Sequence, residues 1–488
     1  MSSDLGLPAQ RGVPRPFVWE AFLWFACLSL LLVVVPAAFI TLPGLAILSL
    51  AVAGTSLWMM HRLVGLFNLR KVTIPAFFYY VYCALILIPG FYIFTDELTS
   101  SRWHFLFGIE SVLISVPIGI AVANLIYGFN RKRIAPYFDR PVETERLSAS
   151  SIRLFVAFLA AGVLFVLINV KEMPVIPLLY VIRHPGEALI AAAMREDSFK
   201  LLQSHLTYVY FVLRGTIFPF LILVAYARYR RQRHRSWGVL FLISLVIGIG
   251  YASLTIEKSP VAAIFGLLFV FYYLFCGGRV GRAASITSLA LFFCFPLAVV
   301  LLAYNGSEGG TIGGALHALG VRIFYSPAQI VYTYFEVFPS VIPYQHGASI
   351  TKLAGFLGKR ALDIPNAIGL YMTEGTDLNT ITANSCFIGN LNADFGLPGV
   401  VVGGILAGFL MQAVSIHFCR GPKNAVTLAA HAICIWAFGM LIMTALPTTL
   451  LSGGVAFAFI LCWIFGRSEK RSCSLSPSPT AAFASGNS

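Results

Sequence analysis

Three cations stand where a membrane chain rarely keeps them. Arg214 lies inside the apolar run LTYVYFVLRGTIFPFLILVAY, Lys258 separates two apolar runs in TIEKSPVAAIFG, and Arg322 opens the amphipathic stretch RIFYSPAQIVYTYFEVF. A guanidinium within a span costs several kcal/mol unless it meets a wet cavity or a partner, so Arg214 is a functional candidate by default. Its alternative is a structural pair with Glu110, itself inside the apolar FLFGIESVLISV. Lys258 either joins the free N–H groups of a helix start to hold an anion or simply extends to the headgroups. In the first case Ser259 is expected at the N-cap and Pro260 in the first turn. Arg183, Arg195, Lys352, Lys359 and Arg360 add positive charge to the same side of the chain. Arginine's planar fork suits phosphate oxygens and lysine supplies a point charge. Lys258, Arg195, Arg214 and Arg322 together predict a site for an anionic, membrane-anchored ligand.

A reaction at such a site also needs a group that takes a proton. His346, in PYQHGAS, is the best base by location, with Glu336 in YTYFEVFP and Asp394 in NADFG as alternatives. Asp394 reads better as a cap of the next helix, because GLPG follows it. Tyr325, Tyr332, Tyr334, Tyr344, Asn384, Asn390 and Asn392 offer aromatic faces and amides to a sugar. Tyrosines at helical spacing serve packing or interface anchoring just as well.

The elements that must position these groups are membrane helices. Of 488 residues 58% are hydrophobic and only 11% charged, against roughly 25% charged in a soluble domain. Runs of about 20 apolar residues, enough to cross a bilayer, fall near 19–41, 43–61, 75–95, 105–128, 151–170, 206–227, 237–256, 260–277, 284–304, 397–418, 425–446 and 449–466. The net charge of +14 gathers in alternate connections, as in Arg131–Arg133 and Arg228–Arg235. With both termini in the cytoplasm, every inward connection is basic, which is the positive-inside bias. The surplus charge is therefore a topology signal, and nucleic acid is not an expected partner. The first span reads as an uncleaved anchor. The Ser- and Pro-rich segment 467–488 reads as a disordered tail.

Two outward connections, 171–205 and 305–396, are too long to be turns. The second has helical patterning and is expected to form a cap of short amphipathic helices on the outer face. No GxxxxGK[ST], HExxH, CxxC or Cys/His cluster occurs, so no cofactor and no metal are expected. Only Cys386 falls in an expected outward loop.

The run from Arg322 through FYSPAQIVYTYFEVFPSVIPYQHGASI, then IPNAIG, then NSCFIGNLNADFGLPGVVVGGILAG, resembles the C-terminal half of the Wzy-type polymerases of O-antigen and exopolysaccharide repeat units. EKSP at a span start is similar to a lysine-containing element of the same family. The resemblance implies an all-α polytopic membrane protein of about twelve transmembrane helices with a helical periplasmic cap. That places it in the polymerase and ligase branch of GT-C-like glycosyltransferases. It further implies transfer of a growing glycan from undecaprenyl diphosphate to an incoming lipid-linked repeat, at the periplasmic face of the bacterial inner membrane. The expected partners are undecaprenyl-diphosphate-linked glycans and the lipid bilayer, and a chain-length regulator is a further one. The four cations would then stabilise the leaving diphosphate. Tyr325, Tyr344, Asn384 and Asn390 would bind glycan.

Many GT-C enzymes carry an acidic pair in the first outer loop, here only about Leu42–Gly44. Asp96 and Glu97 instead occupy the second outer loop, which argues against a comparable metal site. An O-antigen ligase and a polysaccharide or lipid transporter are the alternatives. The transporter would need more buried charge than Glu110 and Arg214.

Overall fold

The computed structural model describes residues 16–95, 99–143, 149–173, 175–184, 187, 190, 194, 204–255, 257–303, 311–350, 355, 358, 362–373 and 382–474. Among the described residues the only regular structure is helix. In chain order the helices are α1 (Pro16–Ala38), α2 (Pro43–Val64), α3 (Ile74–Thr95), α4 (Ser100–Ile126), α5 (Ile134–Asp139), α6 (Ala149–Glu172) and α7 (Pro177–Arg183). There follow α8 (204–232), α9 (Arg235–Ser253), α10 (Lys258–Phe275), α11 (Arg282–Ala303), α12 (312–337) and α13 (Ile364–Met372). The chain closes with α14 (Phe387–Arg420), α15 (Ala425–Gly439), α16 (Leu446–Leu450) and α17 (Val455–Ser474).

Nine described helices are long and apolar enough to cross a membrane. Shorter apolar helices at Leu23–Ala38, Ser259–Phe275 and Arg282–Ala298 fall at the other three expected spans. Large apolar side chains such as Ile47, Leu125, Leu164, Val246 and Trp463 face outward, whereas Ser49, Ser56, Glu110 and His431 are buried. That inverted surface suits lipid, and the chain is a polytopic membrane protein.

Three helices widen into single π-helical turns, at Cys83–Leu87 in α3, Leu213–Ile217 in α8 and Val321–Tyr325 in α12. Each is followed two residues later by a proline: Pro89, Pro219 and Pro327. Proline has no N–H, and its ring presses on the carbonyl four residues back. Those carbonyls belong to Leu85, Gly215 and Ile323, the middle residue of each wide turn. The extra residue in the turn is the local accommodation of that clash. The turns in α3 and α12 pack against each other.

Where α4 meets α14 the backbones almost touch. A Cβ on Gly119 would lie 1.9 Å from the Ile405 carbonyl oxygen, and one on Gly408 would lie 2.2 Å from that of Val116. Gly404 and Gly408 have the small-xxx-small spacing that lets membrane helices approach closely.

Within the expected outer cap, residues 326–337 of α12 pack against the first turns of α4, with Tyr332 and Phe335 set edge-on against Phe105 at 5.6 and 5.9 Å. Gly108 leaves the room that Phe335 fills. The large rings at 332 and 335 bury more apolar area here than an interfacial position would. A small second core of Tyr334, Val337, Phe338, Ile364, Ile368, Ala383 and Ala393 ties α12, α13 and the start of α14 together.

The expected span from 397 is the second part of α14. Gly396, at φ 65° and ψ −160°, breaks that helix, in a region of backbone space that is essentially glycine's alone. The first part, 387–395, turns back on the second, so that a Cβ on Gly403 would sit 2.2 Å from the Leu391 side chain. Helix α17 continues through Ser474, so 467–474 belong to it rather than to a disordered tail. The rest of that expected tail, and residues 1–15, lie outside the described residues.

Candidate functional site

Arg214 does not pair with Glu110. The second residue of the wide turn in α8, it forms an ion pair with Glu257, the residue before α10. Its Nη1 also donates to the Tyr210 hydroxyl at 2.9 Å and to Thr255 Oγ1 at 3.3 Å. The guanidinium lies over the Tyr210 ring at 4.7 Å and the Phe211 ring at 5.3 Å. Side chains on a helix lean toward its N-terminus, which carries Arg214 up toward the α9–α10 junction. Glu257 itself is the N-cap, without a side-chain cap bond. Thus Ser259 and Pro260 sit at the second and third helical positions, where the backbone N–H groups need no intrahelical partner. The structure brings Arg214 to the turn that Lys258 opens, and it is the sequence-adjacent acid that holds the arginine in place.

A second constellation is built around Asp394. This carboxylate is 4% exposed. Its Oδ1 accepts from the Gly347 N–H at 3.0 Å and the Ser349 N–H at 3.3 Å. Its Oδ2 accepts from the Ser349 hydroxyl. The loop is laced to the same helix by its backbone: Gln345 N–H donates to the Ala393 carbonyl and His346 N–H to that of Asp394, both at 2.9 Å. Tyr344 covers Gly396, where a Cβ would meet its ring at 3.1 Å, and burial pushes the Tyr344 phenol up. Between these anchors His346 takes a positive φ of 53° and stands exposed. Asp394 is engaged with the loop, not with the helix that follows it. Both its oxygens accept hydrogen bonds from the loop that carries His346.

Glu336 lies on α12, where its Oε1 accepts from the Tyr332 hydroxyl at 3.3 Å. The guanidinium of Arg102, in the first turn of α4, stacks over the Tyr332 ring at 5.4 Å. Tyr371 of α13 faces the same carboxylate, and burial together with the charge of Glu336 pushes its phenol up. Arg322 and Tyr325 occupy the wide turn of α12 and are exposed. Asn384 is exposed in the extended stretch before α14, and Asn390 is half-buried in its first part. Buried Asn392 donates to the Tyr334 carbonyl at 3.4 Å, and the Tyr334 hydroxyl donates to that of Ala383 at 2.9 Å. These last two are packing groups. Arg195, Lys352, Lys359, Arg360, Asp96 and Glu97 lie outside the described residues, as does the side chain of Lys258.

The candidates thus gather in two clusters, Arg214 with Glu257 and His346 with Asp394, while Arg322 stands on α12 against α3. Sequence reasoning missed Tyr210, Thr255, Ser349, Arg102 and Tyr371. Thr255 is next but one to Glu257 and Tyr210 one helical turn before Arg214, so helical spacing was the available signal. Arg102, Ser349 and Tyr371 owe their place to contacts between distant segments, which no local pattern announces.

No protein family, no curated protein and no solved structure matches the chain.

Proposed function

We propose that this chain is a membrane glycosyltransferase. It joins undecaprenyl-diphosphate-linked oligosaccharide repeats into O-antigen or exopolysaccharide at the outer face of a bacterial inner membrane, with both termini in the cytoplasm. The observation that carries the reading is the Asp394 cradle. Two segments that bear the family resemblance, 343–349 and 387–396, are folded into one unit whose exposed tip is His346. In this reading His346 takes the proton of the acceptor hydroxyl as that oxygen attacks the anomeric carbon. The sugar–phosphate bond breaks, and the diphosphate leaves with the electron pair.

Negative charge then grows on the leaving phosphate, and fixed cations stabilise it more than they stabilise the bound donor. Arg214 and Lys258 at the α9–α10 junction serve this role, together with Arg195 and Arg322. Tyr325, Tyr344, Asn384 and Asn390 hold sugar. Glu336 is the alternative base.

The test uses purified protein in nanodiscs with a synthetic undecaprenyl-diphosphate repeat unit and no nucleotide. The expected product is a ladder of lipid-linked oligomers, lost in His346→Ala and in Arg214→Ala while both proteins stay inserted. Absence of a ladder with wild-type protein across several repeat units, or a full ladder in both variants, refutes the proposal.

A further inference from the structure

One buried acid of the bundle belongs to neither cluster. Glu110 stands mid-way along α4 and is 5% exposed. Its Oε1 makes no hydrogen bond, and neither does Ser49 Oγ on α2, although the serine faces the carboxyl across the α2–α4 contact. No basic side chain pairs with Glu110 among the described residues, in contrast to Arg214 with Glu257. Tyr82 of α3 is a titratable neighbour of Glu110, and Tyr82 in turn has Tyr79, Cys83 and Cys386 near it. None of these supplies a cation.

The hydroxyls of the same seam are engaged with the α4 backbone and with each other. Tyr82 donates to the Ile109 carbonyl at 2.7 Å, Ser56 to the Leu113 carbonyl at 2.5 Å, and Tyr79 to Ser56 Oγ at 2.9 Å. Ser49 and Ser56 are two helical turns apart on α2, so they share a face, with Glu110 of α4 beside them.

An ionised carboxylate with an orphaned oxygen in this setting is costly. A metal cation does not resolve it, because hard cations take six or more oxygen ligands and the nearby carbonyls of Ile109 and Leu113 are already engaged. One added proton does resolve it. The neutral acid can donate to Ser49, which satisfies both orphaned atoms at once. We propose that Glu110 and Ser49 form a proton-binding site inside the bundle, loaded at neutral pH.

The experiment is infrared spectroscopy of the full-length protein in lipid at pH 7, as the difference between wild type and Glu110→Gln. The expected spectrum has a carboxylic acid C=O band present in wild type and lost in the variant. Ser49→Ala should move the band without removing it, because the acid loses its acceptor and keeps its proton. Ionised carboxylate bands from Glu110 at pH 7 would overturn the site. A carboxylic acid band that survives in Glu110→Gln would overturn it as well. The readout is independent of glycan transfer, so it stands or falls separately from the proposed function.

Discussion

Replacing Asp394 by alanine tests the best-defined constellation in the molecule. The carboxylate accepts three hydrogen bonds, two from backbone N–H groups and one from the Ser349 hydroxyl. Hydrogen bonds to a charged group contribute roughly 1.5–3 kcal/mol each, and an orphaned buried donor costs a similar amount. Such contributions do not add within one network, so about 3 kcal/mol is the working figure for unlatching residues 343–349. That is a factor of about 100 in the opening equilibrium.

The bundle itself should survive, because the loop touches only the first part of α14 and the small second core. Amide hydrogen exchange reads the effect where it occurs. In Asp394→Ala the Gly347 and Ser349 amides should exchange about 100-fold faster, while those in the middle of α4 are unchanged. Ser349→Ala, which removes one donor, should give about a tenfold effect. Asp394→Asn keeps an acceptor for the amides and should fall between the two. Unchanged protection of Gly347 and Ser349 in the alanine variant would refute the cradle.

Gly396→Ala places a Cβ 3.1 Å from Tyr344 at a φ of 65°. It should cost about 1–3 kcal/mol for the backbone alone, read as a lower unfolding temperature, and an unaltered temperature would argue against the reversal. Glu257→Gln leaves the Arg214 guanidinium without its carboxylate in a site where Arg214 is 9% and Glu257 23% exposed. A loss of about 3 kcal/mol is expected for a buried pair, with part recovered in the double variant Arg214→Met, Glu257→Gln; full stability of the single variant would show that the pair contributes little.

Burial, opposed by Asp139 and reinforced by Arg140 and Arg231, pushes Lys423 down to about 8. Its ammonium donates to the Phe138 and Arg140 carbonyls at 3.1 and 2.9 Å. The folded pKa lies below the unfolded one. The unfolded chain therefore holds more protons between about pH 8 and the ordinary lysine value of about 10.4, and stability rises with pH across that window. Denaturant titrations from pH 7 to 10 should show this rise in wild type and lose it in Lys423→Met, and equal slopes would contradict the buried ammonium.

The spans were legible because hydropathy is a property of consecutive residues. The break at Gly396 was legible as the start of the span at 397, because the glycines and proline of FGLPG favour a helix boundary. What a linear pattern could not carry was register between distant helices. Glu110, the other charge at depth, was the structural partner offered for Arg214 as the alternative to a ligand, because a linear pattern does not say which way a side chain leans. The leaning toward the helix start decides for Glu257. Asp394 was read as a cap of its own helix for a similar reason. Its true partners lie more than forty residues earlier, and only the reversal at Gly396 turns it toward them. Helix α12 reads as amphipathic in isolation and as buried once Gly108 makes room for Phe335.

The prolines at 89, 219 and 327 have an effect beyond the turns they widen. One surplus residue per helix advances everything downstream by about 100° around the axis. A lipid-facing stripe traced at regular helical spacing therefore jumps to another side at Leu85, Gly215 and Ile323. The two halves of α8 accordingly present different flanks to their neighbours, and an arginine stationed at the jump can look inward while the residues above and below it satisfy the bilayer. A single pyrrolidine ring, with no charge of its own, is what makes room for a cation among the tails.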